Sequence, residues 1–293
     1  TMIRQQPDIV IPRSVEMPPA RLTHAQNGVR IYTLSSDDFE VVRFTFVFKA
    51  GSSMQTKPFV ASTTLNMLGE GSASMTSQQI ADELDFYGSY YDVNIDRDYT
   101  YVSFCSLSKF FDPTIRVARE IILNPIFPER ELGTYCQKRK QGLKIERSKI
   151  DVQSRELFAQ ALFGKQHPYG ISASEECYDD VRREDVVAMY RRLYTAANCF
   201  VVCSGQLDDE VMGHIRAMAE ALPEGATTVG SEMNCSHIKP SKLGATITAT
   251  AVLTAVEGRK LTFTVGASDE QGIIGEGVHV RFVVDRERFM AKL

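Results

Sequence analysis

The sequence contains no apolar stretch long enough to cross a membrane as a helix. It has no run of lysine and arginine, and its formal net charge of -4 argues against a nucleic-acid-binding surface. The first residues, TMIRQQPDIVIPRS, lack the hydrophobic core of a secretory signal peptide, and Met2 fits a native start. These absences predict a soluble protein whose partners include neither nucleic acid nor membrane.

The cysteines also lack a functional pattern. The six cysteines contain no CxxC pair, and they do not form the dense framework of a small disulfide-linked domain. Free thiols in a reducing compartment are the simpler interpretation, which predicts a cytoplasmic location.

What is present is the composition of an ordinary globular protein, with 43% hydrophobic and 24% charged residues. A length of 293 residues allows one large domain or two modest ones. The pattern divides the chain into an irregular, proline-rich leader at 1–26, a segment of mixed helices and strands at 27–221, and a tail of strands at 222–293. We therefore predict an α+β fold.

The first long segment is organised around residues 49–72, KAGSSMQTKPFVASTTLNMLGEGS. An alternating apolar strand precedes it, and helical spacing follows the turn at Gly51. The same reasoning predicts strands at 29–34, 40–49, 89–95, 99–107 and 199–205. It predicts further helices at 76–88, 112–123, 129–149, 154–163, 184–194 and 208–221.

Several phrases of this segment resemble the insulinase-like (M16) peptidases. They are FxFxxGS before a helix that closes in GEGS, then NPIFPEREL, HPYG and AANCFVVCSGQLDDE. The resemblance covers about residues 2–221 and implies an antiparallel sheet with helices packed on it. In that family the first helix carries HxxEH, whose histidines bind zinc and whose glutamate is the general base.

The resemblance places degenerate residues at these metal-site positions. Ser62 and Asn66 replace the two histidines, and Leu65 replaces the glutamate. The family's spacing to the third ligand reaches positions 143–144, and Glu146 is the nearest carboxylate. Hydroxyl and amide groups are poor zinc ligands, and leucine cannot accept a proton. We therefore expect no metal and no cofactor here, with zinc in active relatives only.

Two other features of this segment have simpler explanations. The basic helix at 129–149 is most simply a solvated face. His167 lies in the HPYG phrase, and the resemblance makes it a loop residue rather than a metal ligand.

The tail has a different pattern, with long strands predicted at 245–256, 259–267 and 274–285, and an end at 286–289. Its phrases TTVGSExNxxH, EGRKLTFTV and IGEGVHxRFVVDRERF resemble the C-terminal half of hotdog-fold acyl-CoA thioesterases of the fluoroacetyl-CoA type. The resemblance implies an antiparallel β tail with half a hotdog fold. Because the central helix is missing, an apolar face needs cover from the first domain, a second copy or other chains.

The thioesterase resemblance gives His237 the role of the base that activates water. Its threonine and glutamate partners belong to the missing half, and Glu232 and Glu276 do not match them. The alternative is an inherited strand residue without a catalytic set. His279 alternates with valines and is expected to be an exposed strand position or a sheet contact.

Three functions follow from these resemblances. The first is a non-catalytic peptidase homologue that binds peptides or serves as a partner subunit of an active zinc peptidase. The second is a zinc metallopeptidase, and the third is an acyl-CoA thioesterase acting through His237. The expected partners are a second copy, an active M16-like subunit, a peptide or an acyl-CoA. Whether the two segments form one natural chain stays open.

Overall fold

The computed structural model describes residues 18–285 and Phe289 of the chain. Within these residues, one sheet contains β1 (Arg21–His24), β2 (Arg30–Ser35), β3 (Val41–Phe48), β4 (Tyr90–Ile95), β5 (Thr100–Leu107) and β6 (Cys199–Gly205). The helices are α1 (Val60–Asn66), α2 (Ser77–Phe86), α3 (Phe111–Leu123), α4 (Glu129–Glu146), α5 (Ile150–Phe163), α6 (Arg183–Leu193) and α7 (Asp209–Glu220). A second sheet contains β7 (Ala226–His237), β8 (Thr248–Glu257), β9 (Lys260–Asp269) and β10 (Gly272–Asp285). This architecture confirms the predicted α+β class.

The first sheet has the strand order β1-β2-β6-β3-β5-β4. Its neighbouring strands are antiparallel except for β2 and β6, which are parallel. The expectation of an antiparallel sheet therefore needs this one correction. The chain reaches β6 only after α6, by a long connection that inserts the strand between β2 and β3.

The leader was predicted to be irregular, and its described part is not. Arg21–His24 pairs with β2 through a turn that includes Gly28, whose φ of +84° suits glycine. Leu22 is 46% exposed, and most of β1 faces solvent. A short edge strand of this kind lacks the apolar alternation that sequence analysis uses. Residues 1–17 lie outside the described part of the chain.

The main core lies between the first sheet and its helices. Phe44 and Phe104 are fully buried on β3 and β5, and their rings stack with centroids 5.1 Å apart. Leu65 of α1 and Ile121 of α3 are fully buried in the same cluster. Alternating phenylalanines on β3 therefore hold α1 against the sheet, which fixes the metal-site positions on that helix.

The helix boundaries differ from the prediction at the basic segment. The helix predicted at 129–149 ends at Glu146, and α5 begins at Ile150 rather than at residue 154. Arg147 lies between them and binds Glu156 at 3.2 Å. The predicted capping box of α2 is present between Thr76 and Gln79. Among the described helices, none has both the length and the apolar character needed to cross a membrane.

The second sheet has the order β7-β10-β9-β8, with every neighbouring pair antiparallel. Met233, His279, Phe263 and Leu253 form one row across its four strands. Met233 is 62% exposed and Leu253 is 48% exposed, so the first domain does not cover this face. The predicted end at 286–289 lies outside the described residues except for Phe289.

Candidate functional site

The three metal-site positions are occupied by side chains that serve α1 itself. The Ser62 hydroxyl donates to the Phe59 carbonyl at 3.1 Å, and the Asn66 amide donates to the Ser62 carbonyl at 2.8 Å. Leu65 is fully buried in the core. The Tyr135 hydroxyl on α4 lies within hydrogen-bond reach of Ser62, and burial raises the pKa of this tyrosine.

The resemblance places the third-ligand position at 143–144, where Leu143 is apolar. Ser62 and Leu143 line the same cavity, which has a volume of about 520 Å³. Glu146 is not part of its wall, and its carboxylate lies 3.8 Å from Arg139 on the same helix. The structure therefore brings the first and third positions together as a hydroxyl and an aliphatic side chain.

The cavity is the open groove between α1, the β4–β5 turn and the loop after α5. Its wall combines apolar side chains, including Phe59 and Pro168, with polar side chains that include Gln55 and Ser172. A mixed lining of this kind suits a peptide better than a purely apolar ligand. We name it the α1 groove.

The turn at Asp96–Asp98 forms one wall of the α1 groove and is held by the loop after β3. The N–H groups of Gly51, Ser52 and Ser53 donate to the carbonyls of Asp98, Asp96 and Arg97 at 3.0, 3.1 and 2.7 Å. A Cβ on Gly51 would lie 2.5 Å from the carbonyl carbon of Arg97. The predicted GS turn is therefore a close backbone contact that requires glycine.

The two carboxylates that line the groove have internal partners. Asp96 accepts from the backbone N–H groups of Asp98 and Tyr99 at 2.7 Å each and from the Tyr101 hydroxyl at 2.8 Å. Partial burial alone would raise the pKa of Asp96, but these hydrogen bonds lower it overall.

Glu156 accepts from Ser172 at 2.9 Å and forms an ion pair with Arg147. The negative charge of the second groove carboxylate is therefore balanced by a neighbouring cation.

Arg97 is the groove cation, and aromatic rings hold it in place. Its guanidinium carbon lies 5.7 Å from the ring centroid of Phe163 and 5.2 Å from that of Tyr169. The Tyr169 hydroxyl in turn donates to Asp98 at 2.6 Å. Sequence reasoning missed Arg97 and Asp96, because they stood in a polar turn between two strands.

His167 is a structural residue of the same loop. Its Nδ1 accepts from the backbone N–H of Tyr169 at 3.1 Å, and its ring stacks on Phe163 with centroids 5.4 Å apart. This agrees with the prediction that His167 is a loop residue.

One group of metal-ligating side chains lies outside the groove. Ligand atoms of Asp112, Glu210 and His214 lie within 4.8 Å of one another, where α3 meets α7. His214 and Asp112 are 3.2 Å apart and partly exposed, which fits a surface ion pair.

The second sheet carries a smaller apolar trough of about 400 Å³. Gly275 on β10 and short alanines on its neighbours leave this space. His237 on β7 pairs with Gly275 on β10, but the histidine does not line the trough. Among the described residues, neither Glu232 nor Glu276 forms a hydrogen bond or an ion pair with His237. The structure therefore brings no carboxylate partner to this histidine.

His279 lies between Met233 and Phe263 in the sheet, partly buried. This agrees with the sheet contact that its alternation with valines predicts.

Comparison with known proteins finds two kinds of relative for this chain. The chain is 22% identical over 209 residues to an uncharacterized zinc protease of Rickettsia felis, covering 70% of this chain and 50% of the relative. It matches the crystal structure of a peptidase M16 inactive domain from Pseudomonas fluorescens with a TM-score of 0.66 and 17% identity, over 90% of this chain and 74% of the other. The larger part of the chain is therefore homologous to M16-like peptidases and has their fold.

The C-terminal part matches a family model described as FlK, fluoroacetyl-CoA-specific thioesterase, over residues 213–287. It is 40% identical over 79 residues to the fluoroacetyl-CoA thioesterase of Streptantibioticus cattleyicolor, covering 27% of this chain and 57% of that protein. The C-terminal domain is thus fluoroacetyl-CoA thioesterase-like, and the match begins within α7, before the predicted boundary at 222. The chain spans about half the length of the curated relatives that it matches.

Proposed function

We propose that this chain is a non-catalytic M16-like module whose α1 groove binds a peptide segment. The observation that supports this most directly is the open groove itself, which persists where Ser62 and Leu143 replace ligating side chains. The helix α1 contains no acidic residue that could activate water, and Leu65 is buried in the core. A peptide in this groove would be held without being cleaved, as in a partner subunit of an active zinc peptidase.

Fluorescence anisotropy of labelled unstructured peptides tests the binding. Ser62→Trp, which fills the groove, should weaken binding at least about tenfold, which corresponds to the loss of ~1.4 kcal/mol. Arg116→Trp on α3 is the matched control outside the groove. Equal peptide affinity of the two variants would contradict the assignment.

Metal analysis of the purified chain separates this proposal from the zinc peptidase alternative. We expect no stoichiometric zinc and no peptide hydrolysis, because neither Ser62 nor Asn66 offers a good zinc ligand. Stoichiometric zinc together with cleavage of the bound peptide would overturn the proposal.

A second candidate function is the binding or hydrolysis of an acyl thioester by the C-terminal domain. The thioesterase-like match and the apolar trough in the sheet that carries His237 favour it. A thiol-release assay over several acyl-CoAs, with His237→Ala as the comparison, tests this function. Release that depends on His237 would establish His237 as a catalytic base. Thiol release no faster than the uncatalysed background with either protein would exclude the thioesterase function.

The location and the assembly state are also part of the proposal. All six cysteines are free, which supports a reducing compartment such as the cytoplasm. The exposed apolar face of the second sheet supports self-association, and the groove supports contact with an active M16-like subunit. The boundaries at residues 26 and 221 remain our working division of the chain.

A further inference from the structure

We infer that the α1 groove selects peptides that carry a carboxylate, and that Arg97 binds this group. The inference rests on the peptide-binding function proposed above and adds its chemical preference.

Arg97 is a cation of the groove that the groove carboxylates leave unpaired. Glu156 is paired with Arg147 and also bound by Ser172, and Asp96 accepts three hydrogen bonds. Among the described residues, no carboxylate lies within ion-pair distance of Arg97, whose contacts are aromatic faces. An incoming anion would therefore meet a cation without displacing an existing ion pair.

The aromatic contacts also pre-organise this cation. Phe163 and Tyr169 contact the guanidinium, and the hydrogen bond from Tyr169 to Asp98 ties the tyrosine ring to the turn that carries Arg97. A guanidinium held in place loses less side-chain entropy when it forms its two parallel bonds to a carboxylate. Among the described residues the Arg97 guanidinium has aromatic contacts and no ion pair, so its N–H groups can donate to such a ligand.

The neighbouring side chains suit the same ligand. Ser52 and Gln55 line the groove and offer neutral donors, while Ile95 and Ile171 offer apolar contacts for the rest of a peptide. The carboxylate itself can come from an acidic side chain or from the peptide's C-terminus. Both sources present the same two oxygen atoms to Arg97.

Matched peptides test this preference and identify the source. One labelled peptide contains a glutamate and a free C-terminus. Its two partners change either the glutamate to glutamine or the C-terminal carboxylate to an amide. We expect one of the two changes to weaken binding to the full chain about tenfold or more. This difference should shrink as salt is added, because the groove is open to solvent.

Variants of the protein assign the preference to Arg97. Arg97→Gln should remove the difference between the matched peptides, and Arg97→Lys should keep part of it. Lys109→Gln is the matched control, because Lys109 also lies over an aromatic ring, that of Phe110 at 4.8 Å, outside the groove.

The possible outcomes separate the two proposals. If the wild-type chain binds all three peptides equally, the carboxylate preference is wrong and peptide binding stands. If no peptide binds, both proposals fail. If Arg97→Gln weakens every peptide by the same factor, Arg97 only supports the groove wall, which also overturns the inference.

Discussion

The residue that most changes the chemistry of α1 is Leu65. The resemblance assigns it to the position of the catalytic glutamate, and its side chain is fully buried in the core. Ser62 and Asn66, in the histidine positions, are partly exposed and bond to the main chain of their own helix. Leu65 is therefore a core residue, whereas Ser62 lines the groove and Asn66 is only partly buried.

This division predicts unequal effects on stability. Leu65→Ala should lower the free energy of unfolding by about 2–5 kcal/mol, because it leaves a cavity in a packed core. Ser62→Ala should cost less than about 1 kcal/mol, since it removes a single hydrogen bond from a half-buried hydroxyl. Chemical denaturation monitored by circular dichroism measures both values. Similar losses for the two variants would show that Leu65 is not a core residue.

The raised pKa of Glu70, which follows α1, makes the stability of the folded chain depend on pH. Burial and the neighbouring carboxylate of Glu131 raise the pKa of Glu70, and Lys138 opposes this. The folded chain therefore holds this proton more tightly than the unfolded chain. The corresponding stability is present below the ordinary carboxyl pKa of 4.5 and is lost as the pH rises through the raised value.

Glu70→Gln should accordingly make the folded chain more stable at neutral pH and flatten this part of the pH profile. Glu40→Gln, at an exposed position before β3, is the control and should leave the profile unchanged. Unfolding midpoints between acid and neutral pH provide the measurement. A Glu70→Gln protein that is less stable at neutral pH would contradict the assigned direction.

At the scale of elements, the groove depends on the contact between the loop after β3 and the β4–β5 turn. The hydrogen bonds from the N–H groups of residues 51–53 fix the turn that presents Arg97. The contact is backbone to backbone, so its geometry is set by Gly51 rather than by a replaceable side chain.

Gly51→Ala should therefore disturb both stability and binding. Because its Cβ would overlap the backbone of Arg97, we expect a loss of about 1–3 kcal/mol in the free energy of unfolding. Peptide affinity should fall with it. Gly133→Ala is the matched control on α4, where nothing lies within 4 Å of the added Cβ. It should raise stability by about 0.5–1 kcal/mol. Equal effects of the two changes would rule out the tight contact.

Some of these elements could be predicted from the sequence and others could not. Alternating phenylalanines predicted β3, and Thr76 with Gln79 predicted the start of α2, because these signals are local. The edge strand β1 was missed because its side chains face solvent and only its pairing with β2 defines it. Arg97 was missed for a similar reason: its partners, Phe163 and Tyr169, are distant in sequence and meet it only in the folded chain.

At the scale of the whole molecule, the second sheet is the part with incomplete packing. Met233 and Leu253, at the two ends of one row across its strands, are exposed. Its edge strand β8 has the sequence TATAVLTAVE, with a single charge at its end. Edge strands without charges or proline are prone to pair with other chains. Of the three predicted covers for this face, the first domain is excluded, which leaves a second copy or another protein.

We therefore predict that the full chain self-associates or binds a hydrophobic dye through this face. Light scattering after size-exclusion chromatography, with dye fluorescence on the same fractions, measures both. Leu253→Lys places a charge in the apolar row, so it should reduce the associated fraction and the dye signal without unfolding the first domain. Ile150→Lys, at an exposed apolar position of α5 outside the second sheet, is the control and should leave both signals largely unchanged. A wild-type chain that elutes as a monomer and binds no dye would show that the face needs no partner.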